Sequence, residues 1–336
     1  MEDNMERRGI CIAGSLIADR YYEVDTYPKE GFLSTIRSST FHIGGSGNII
    51  LDLAKLDPDL KVKVCAIIGD DDSGKGLLDI LSRYKNIDVD CILKENESSV
   101  TLVVNANDTK QRTFLYLPGA SDAFDMSCID WDKIDSRIFH LEYLLLMKNV
   151  DAADADFGTH GARILKYAKD RGMMTSFDMV SEQSDRVPEI IRPALRYTDI
   201  CCINESEAEA VTGIKLCENR ILSEEKTALA LKKLCELGVS KWVVIHSPMK
   251  SYGYDVKNDK IVSVDSLKLP EGFIKGTTGA GDAFCSGILY GAHADYQLAD
   301  AMRLAIACAA CSLSQSNGTD GVRSEREALL LSEQYK

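Results

Sequence analysis

The chain has 336 residues and carries 39 Lys and Arg against 52 Asp and Glu, so its net charge is −13. Apolar residues make up 45% and charged residues 27%, which is typical of a soluble globular protein and not of a disordered chain. The acidic balance disfavours nucleic acid or an anionic membrane as a partner, because such surfaces need clustered Lys and Arg, but it allows a small anion in one pocket.

Short β-rich segments alternate with segments of helical periodicity along most of the chain. Strands are predicted at 9–16, 62–69, 173–177, 200–203 and 241–245. Helices are predicted at 46–57, 73–84 (with Ser73 as its cap), 159–171, 204–212, 224–236, 280–292 and 296–314. This alternation predicts an α/β fold with a mostly parallel sheet and helices on both faces.

Two segments, at about 20–43 and 98–118, interrupt this rhythm because they alternate polar and apolar residues. They predict antiparallel strands that expose one face, together forming a small sheet that projects from the main domain. Such a sheet is either a lid or a dimer contact. Arg112, in the second segment, either reaches an anionic substrate or is an exposed strand cation.

The first residues and the cysteines predict a cytoplasmic protein. The opening MEDNMERRGICIAGS lacks the apolar core of a signal peptide, and no apolar run approaches the roughly 18 residues that a membrane helix needs. Most of the eleven cysteines lie in apolar segments, so we expect reduced core residues. Cys308 and Cys311 lie in such a segment, and they are weak evidence for zinc.

The most informative motif is the Gly-rich stretch GTTGAGDAF at 276–284. Gly279, Ala280 and Gly281 are small, so the backbone can approach a ligand closely. A helix is expected to start at Asp282, and its free N–H groups and positive dipole end suit a phosphate. The carboxylate of Asp282 is well placed to accept a proton from a nucleophile that attacks this phosphate. Alternatively, Asp282 only caps the helix.

A second glycine-rich stretch, GGSGN at 44–48, also precedes a predicted helix. It does not have the G-x-G-x-x-G spacing, so a Rossmann dinucleotide site is disfavoured. The amide of Asn48 can both donate to and accept from a sugar hydroxyl. A plain glycine turn is the alternative.

Asn204 and Glu207 lie three residues apart where a strand leads into a helix. They form either a capping box or a site that orders Mg²⁺ through water. By contrast, the loop at 69–76 only resembles a P-loop, because Gly76 replaces the hydroxyl residue and three carboxylates would repel phosphate. We expect a structural turn there.

Taken together, the motifs resemble those of the ribokinase-like (PfkB) carbohydrate kinases over nearly the whole chain. The matching positions are 14–19, Gly44-Gly45-x-x-Asn48, Gly69-Asp70-Asp71-x-x-Gly74, Asn204-x-x-Glu207 and the run from Thr277 to Phe284. The resemblance implies one domain over 1–336, built as a three-layer α/β/α sandwich with a small β-sheet lid. It also implies an ATP-dependent sugar kinase, with a homodimer through the lid as one option.

The resemblance further implies a role for each matching residue. Asp282 would be the general base, and the amides of Gly279, Ala280, Gly281 and Asp282 would form the anion hole for the γ-phosphoryl group. The sugar would be bound by Asp19, Gly44, Gly45 and Asn48. ATP would be bound by Asn204, Thr278, Gly279 and Gly281, and Mg²⁺ by Asn204 and Glu207.

Three positions depart from the family pattern. Gly276 replaces an Asp that often belongs to a monovalent-cation site, which leaves activation by potassium open. The run 246–248 replaces a Thr-x-Gly near the nucleotide, and Ile17 replaces an Asn that ribokinases often carry, which argues against ribose. These departures keep two alternatives open: a nucleoside kinase of the same fold, and a kinase-like ligand sensor with weakened nucleotide contacts.

Overall fold

The computed structural model describes residues 9–182, 184–218 and 221–336. Its largest element is a nine-stranded sheet. In chain order the strands are β1 (Ile10–Gly14), β2 (Leu16–Val24), β3 (Ile36–Gly45), β4 (Val62–Ile68), β5 (Ile87–Lys94), β6 (Ser99–Ala106), β7 (Arg112–Leu117), β8 (Ile138–Leu144), β9 (Ala153–Asp154), β10 (Gly158–Thr159), β11 (Met174–Met179), β12 (Ile200–Asn204), β13 (Cys217–Glu218), β14 (Ile221–Leu222), β15 (Trp242–His246), β16 (Lys250–Asp255) and β17 (Lys260–Asp265). The helices are α1 (Gly47–Leu56), α2 (Asp72–Leu81), α3 (Lys148–Asp151), α4 (His160–Asp170), α5 (Val187–Leu195), α6 (Glu205–Thr212), α7 (Glu224–Glu236), α8 (Ala280–His293), α9 (Leu298–Leu313) and α10 (Glu325–Gln334).

The large sheet has the strand order β17-β16-β15-β12-β11-β8-β1-β4-β5. All neighbours pair in parallel except β15–β16 and β16–β17. The chain proceeds from β1 towards β4 on one side and from β8 towards β15 on the other. Sheets of this kind bind ligands where the strand order reverses, at the carboxyl ends of the strands.

Each face of this sheet supports its own hydrophobic core. Ile10 and Ile12 of β1 pack into the core that contains α1, α8 and α9. Cys11 and Ala13 point the other way, into the core that contains α4, α5 and α7, because successive strand residues face opposite sides. The sheet is therefore covered on both faces, and the predicted three-layer α/β/α sandwich is confirmed.

A separate sheet of four strands, in the order β3-β2-β6-β7, projects from the sandwich and is called the small sheet below. β2 with β3, and β6 with β7, form the predicted antiparallel pairs, but β2 and β6 pair in parallel. The expectation of antiparallel strands throughout was therefore wrong at this junction. Parallel neighbours need a long crossover, and α1, β4, α2 and β5 supply it.

Most predicted helices and strands are present, with two informative differences at helix starts. α8 begins at Ala280, not Asp282, because Gly279 adopts a left-handed conformation with φ +77° and ends the loop. The cap of α2 is Asp71, not Ser73: its carboxylate accepts from the N–H of Gly74 at 2.8 Å and from that of Ser98 at 2.8 Å. The acidic loop before α2 thus has a structural role.

The helices of the described residues are short. None of them is both long enough and apolar enough to cross a membrane.

Candidate active site

The sequence motifs converge where the strand order of the large sheet reverses. Asn204 ends β12, and Glu142 and Asp178 lie near the ends of β8 and β11. The first turns of α1 and α8 carry Asn48 and Asp282 to the same place, where the two side chains are hydrogen-bonded. Parallel strands bring these groups together because their carboxyl ends share one edge.

The start of α8 is an unblocked helix N-terminus. Gly279 is its cap and no side chain caps it. The N–H of Ala280 reaches the carbonyl of Thr277 at 3.4 Å, so the next N–H groups of the first turn are the ones available to a ligand. A Cβ at Gly279 would lie 2.5 Å from the Cα of Gly318, so only glycine fits both the φ angle and the space. Ala280 and Gly281 line the adjoining cleft. This turn can therefore hold an anion.

The carboxylate of Asp282, in the first turn of α8, is held by two side chains. The hydroxyl of Tyr143 donates to Oδ1 at 2.6 Å, and the amide of Asn48 donates to Oδ2 at 2.7 Å. Burial raises the pKa of Asp282, and these two hydrogen bonds oppose the rise. The alternative that Asp282 only caps the helix is therefore wrong. The cap is Gly279, and the Asp282 carboxylate accepts hydrogen bonds from Tyr143 and Asn48 instead.

Two further carboxylates lie beside Asp282, and the motifs did not predict them. Oxygens of Glu142, Asp178 and Asp282 lie within 4.8 Å of one another, which is close enough to share a metal ion. Glu142 carries a weak sequence signal, since it forms an H-x-E with His140, but without a P-C-x-x-C further along the chain that pattern does not indicate a zinc deaminase. Asp178 stands out only as an acid at the end of a buried strand.

Asp19 lies on β2 of the small sheet, close against the glycine pair. Burial raises its pKa to about 7, a hydrogen bond from Thr101 opposes the shift, and the charge of Asp282 adds to it. A Cβ at Gly44 would lie 2.4 Å from the Asp19 carboxylate, and Gly45 has φ +58°. Both glycines are therefore required for this close approach.

Asn204 and Glu207 form the predicted capping box. Asn204 Oδ1 accepts from the N–H of Glu207 at 2.9 Å, and Glu207 Oε2 accepts from the N–H of Asn204 at 2.9 Å. Glu207 Oε1 also accepts from the hydroxyl of Ser181 at 2.6 Å and from the side-chain amide of Asn204 at 2.7 Å. Both residues still line the clefts beside α8, so capping and ligand contact are compatible.

Two adjoining clefts flank the start of α8. The larger, of about 1430 Å³, runs from the loop at 246–249 to Gly281. The smaller, of about 270 Å³, is lined by Tyr143, Asp178 and Asp282 among others. His246 lines both, stacks on Phe284 at 4.7 Å and is neutral at pH 7, since burial lowers its pKa to about 4. The larger cleft is wide enough for a nucleotide.

Arg112 connects the small sheet to the loop before α8. Its guanidinium donates to Thr278 Oγ1 at 2.6 Å and to the carbonyl of Ser316 at 3.1 Å. It is thus half-buried against the site and does not behave as a free strand cation. Thr278, a predicted ATP contact, is engaged by Arg112 in this structure.

A phosphate-sized anion site at a helix start, beside a carboxylate and a nucleotide-sized cleft, defines a phosphotransferase with a hydroxyl acceptor. Residues 7–325 match the pfkB family carbohydrate kinase. The chain belongs to this family.

Similar proteins include both sugar and nucleoside kinases. An adenosine kinase of Schizophyllum commune is 24% identical over 295 residues, covering 82% of this chain and 80% of its own length. A ribokinase of Mus musculus is 22% identical over 294 residues, covering 85% and 82%. Among solved structures, the ribokinase of Arabidopsis thaliana complexed with ribose and ATP has a TM-score of 0.80 at 21% identity, covering 97% of this chain and 99% of that one. A Thermotoga maritima ribokinase has a TM-score of 0.77 at 20% identity.

Proposed function

We propose that this chain is an ATP-dependent sugar kinase that transfers the γ-phosphoryl group to a sugar hydroxyl. One observation carries the proposal: the Asp282 carboxylate is held by two donors directly beside the free amides at the start of α8. A carboxylate beside an anion site can take the proton from a hydroxyl group while the hydroxyl oxygen attacks the phosphorus of a bound phosphate.

ATP would occupy the larger cleft, with its terminal phosphate against the amides from Gly279 to Asp282. The sugar would lie on the small-sheet side, where Asp19, Asn48 and the glycine pair line the approach to Asp282. Its hydroxyl gives its proton to Asp282 as the new O–P bond forms and the bond to ADP breaks. The raised pKa of Asp282 suits a general base, because such a group works best near the ambient pH.

Mg²⁺ would accompany the nucleotide at Asn204 and Glu207, with water between the ion and the protein. Glu207 already accepts hydrogen bonds on both oxygens, so direct coordination would break the capping box. Mg²⁺ keeps much of its water shell, and water-mediated contact therefore fits these residues. When bound, the ion would offset the charge of the phosphates.

Gly276 supplies no carboxylate to a monovalent-cation site. A Cβ there would lie 3.0 Å from the carbonyl oxygens of both Gln315 and Ser316, so an Asp would not fit without a shift of the loop. We therefore propose that any activation by potassium does not depend on residue 276.

A panel of sugars and nucleosides with ATP and Mg²⁺ tests the proposal, with ADP release as the readout. We expect turnover with at least one sugar, because the base and the anion site are both in place. Turnover restricted to nucleosides would instead identify a nucleoside kinase. Tight sugar binding in calorimetry with no ATP binding would identify a ligand sensor and overturn the kinase proposal.

Tyr143→Phe tests whether the tyrosine hydroxyl orients the base. Loss of a hydrogen bond to a charged group costs about 1.5–3 kcal/mol, which corresponds to roughly a 10- to 100-fold loss of kcat. The KM for ATP should not change, because Tyr143 does not line the larger cleft. Tyr167→Phe, on the distant helix α4, is the matched control and should keep kcat. An unchanged kcat in Tyr143→Phe would contradict the role.

We also propose that two copies pair through their small sheets. Large apolar side chains are exposed on the two edge strands of this sheet, β3 and β7, and in the loop before β3. They are Ile36, Phe114, Leu115 and Leu117 on the strands, and Phe32 and Leu33 in the loop. Exposed apolar edges of this kind favour pairing with a second chain.

Sedimentation of the purified chain should therefore give twice the monomer mass. Phe114→Asp should give the monomer, whereas Leu229→Asp, at an equally exposed leucine of α7, should leave the dimer intact. A monomeric wild-type chain would contradict the dimer without affecting the proposed kinase activity.

A further inference from the structure

The three carboxylates beside the start of α8 form an unusual concentration of negative charge. Oxygens of Glu142, Asp178 and Asp282 lie within 4.8 Å of one another. Glu142 is completely buried and Asp178 is only 8% exposed. Like charges this close repel strongly where water is excluded, so the cluster is unstable as three bare carboxylates.

Glu142 is also without a hydrogen-bond donor. Neither of its oxygens has a hydrogen-bond partner among the described residues, although both are fully buried. His140 Nε2 lies 3.5 Å from its Oε2. A buried carboxylate without donors is costly, and its oxygens are available to a ligand.

The protein supplies no cation to this cluster within its described residues. No Lys or Arg forms an ion pair with any of the three acids there. Asp52 of α1 is a further buried acid whose oxygens have no hydrogen-bond partner in the part of the chain that the structure describes.

We propose that Glu142 and Asp178 bind a divalent cation directly, beside Asp282, and that they do so before a nucleotide arrives. Carboxylates offer the hard oxygen ligands that Mg²⁺ and Mn²⁺ prefer. Asp282 keeps its hydrogen bonds from Tyr143 and Asn48 and is left to act as the base. This ion differs from the one that ATP would bring to Asn204 and Glu207.

The role of this ion rests on the proposed function, but its binding does not. Bound here, it would lie on the acceptor side of the anion site and relieve the repulsion between the cluster and an incoming phosphate. An enzyme with a net charge of −13 would in this way gain a local positive charge where the phosphate must approach.

Titration of the nucleotide-free chain with Mn²⁺ tests the site, with the electron paramagnetic resonance signal of free Mn²⁺ as the readout. We expect one tight site in the wild type. Glu142→Gln and Asp178→Asn should each weaken it at least 10-fold. Two controls should keep the wild-type affinity: Asp265→Asn, an exposed acid at the larger cleft, and Glu207→Gln, in the capping box.

Thermal unfolding of the same proteins guards against a folding defect. A fixed excess of Mn²⁺ should raise the Tm of the wild type and of both controls, and it should raise that of Glu142→Gln or Asp178→Asn by clearly less. Should one of these two variants fail to fold, the other carries the test. Absence of a nucleotide-independent site, or loss of the site in Glu207→Gln alone, would overturn the proposal. Neither result would affect the acceptor panel, which tests the kinase activity separately.

Discussion

The site depends on one constraint, the left-handed turn at Gly279 that ends a loop and begins α8. Only glycine satisfies it, because φ is +77° and the backbone of Gly318 lies where a Cβ would be. The turn leaves the first N–H groups of the helix uncapped and places Asp282 one turn further on. The proposed anion site and the carboxylate thus come from four consecutive residues, Gly279 to Asp282, and the rest of the fold supplies their surroundings.

These surroundings explain how an acidic protein handles an anionic ligand. The phosphate site in our account uses backbone amides and a helix dipole, so it does not need a basic surface. Arg112 extends from the small sheet to the loop before α8, where its guanidinium contacts Thr278 and Ser316. In our proposal, a bound cation offsets the charge of the buried acids beside this site.

Much of the fold could be predicted because it is encoded locally. The alternation of strands and helices fixed the α/β class, and the order of short motifs indicated the family. What could not be predicted depends on contacts between distant segments. Tyr143 and Asp282 are 139 residues apart, and no local pattern indicates that a tyrosine of β8 reaches the start of α8. The parallel pairing of β2 with β6 is equally non-local.

The most direct test of this account is the Asp282→Asn variant, assayed for ADP release with the true acceptor and for ATP binding by calorimetry. The amide is the same size and can still meet Tyr143 and Asn48, but it cannot take a proton at neutral pH. We predict that the variant folds and binds ATP like the wild type, while its turnover falls by roughly 100-fold or more. Turnover close to that of the wild type would contradict the central claim that Asp282 is the base.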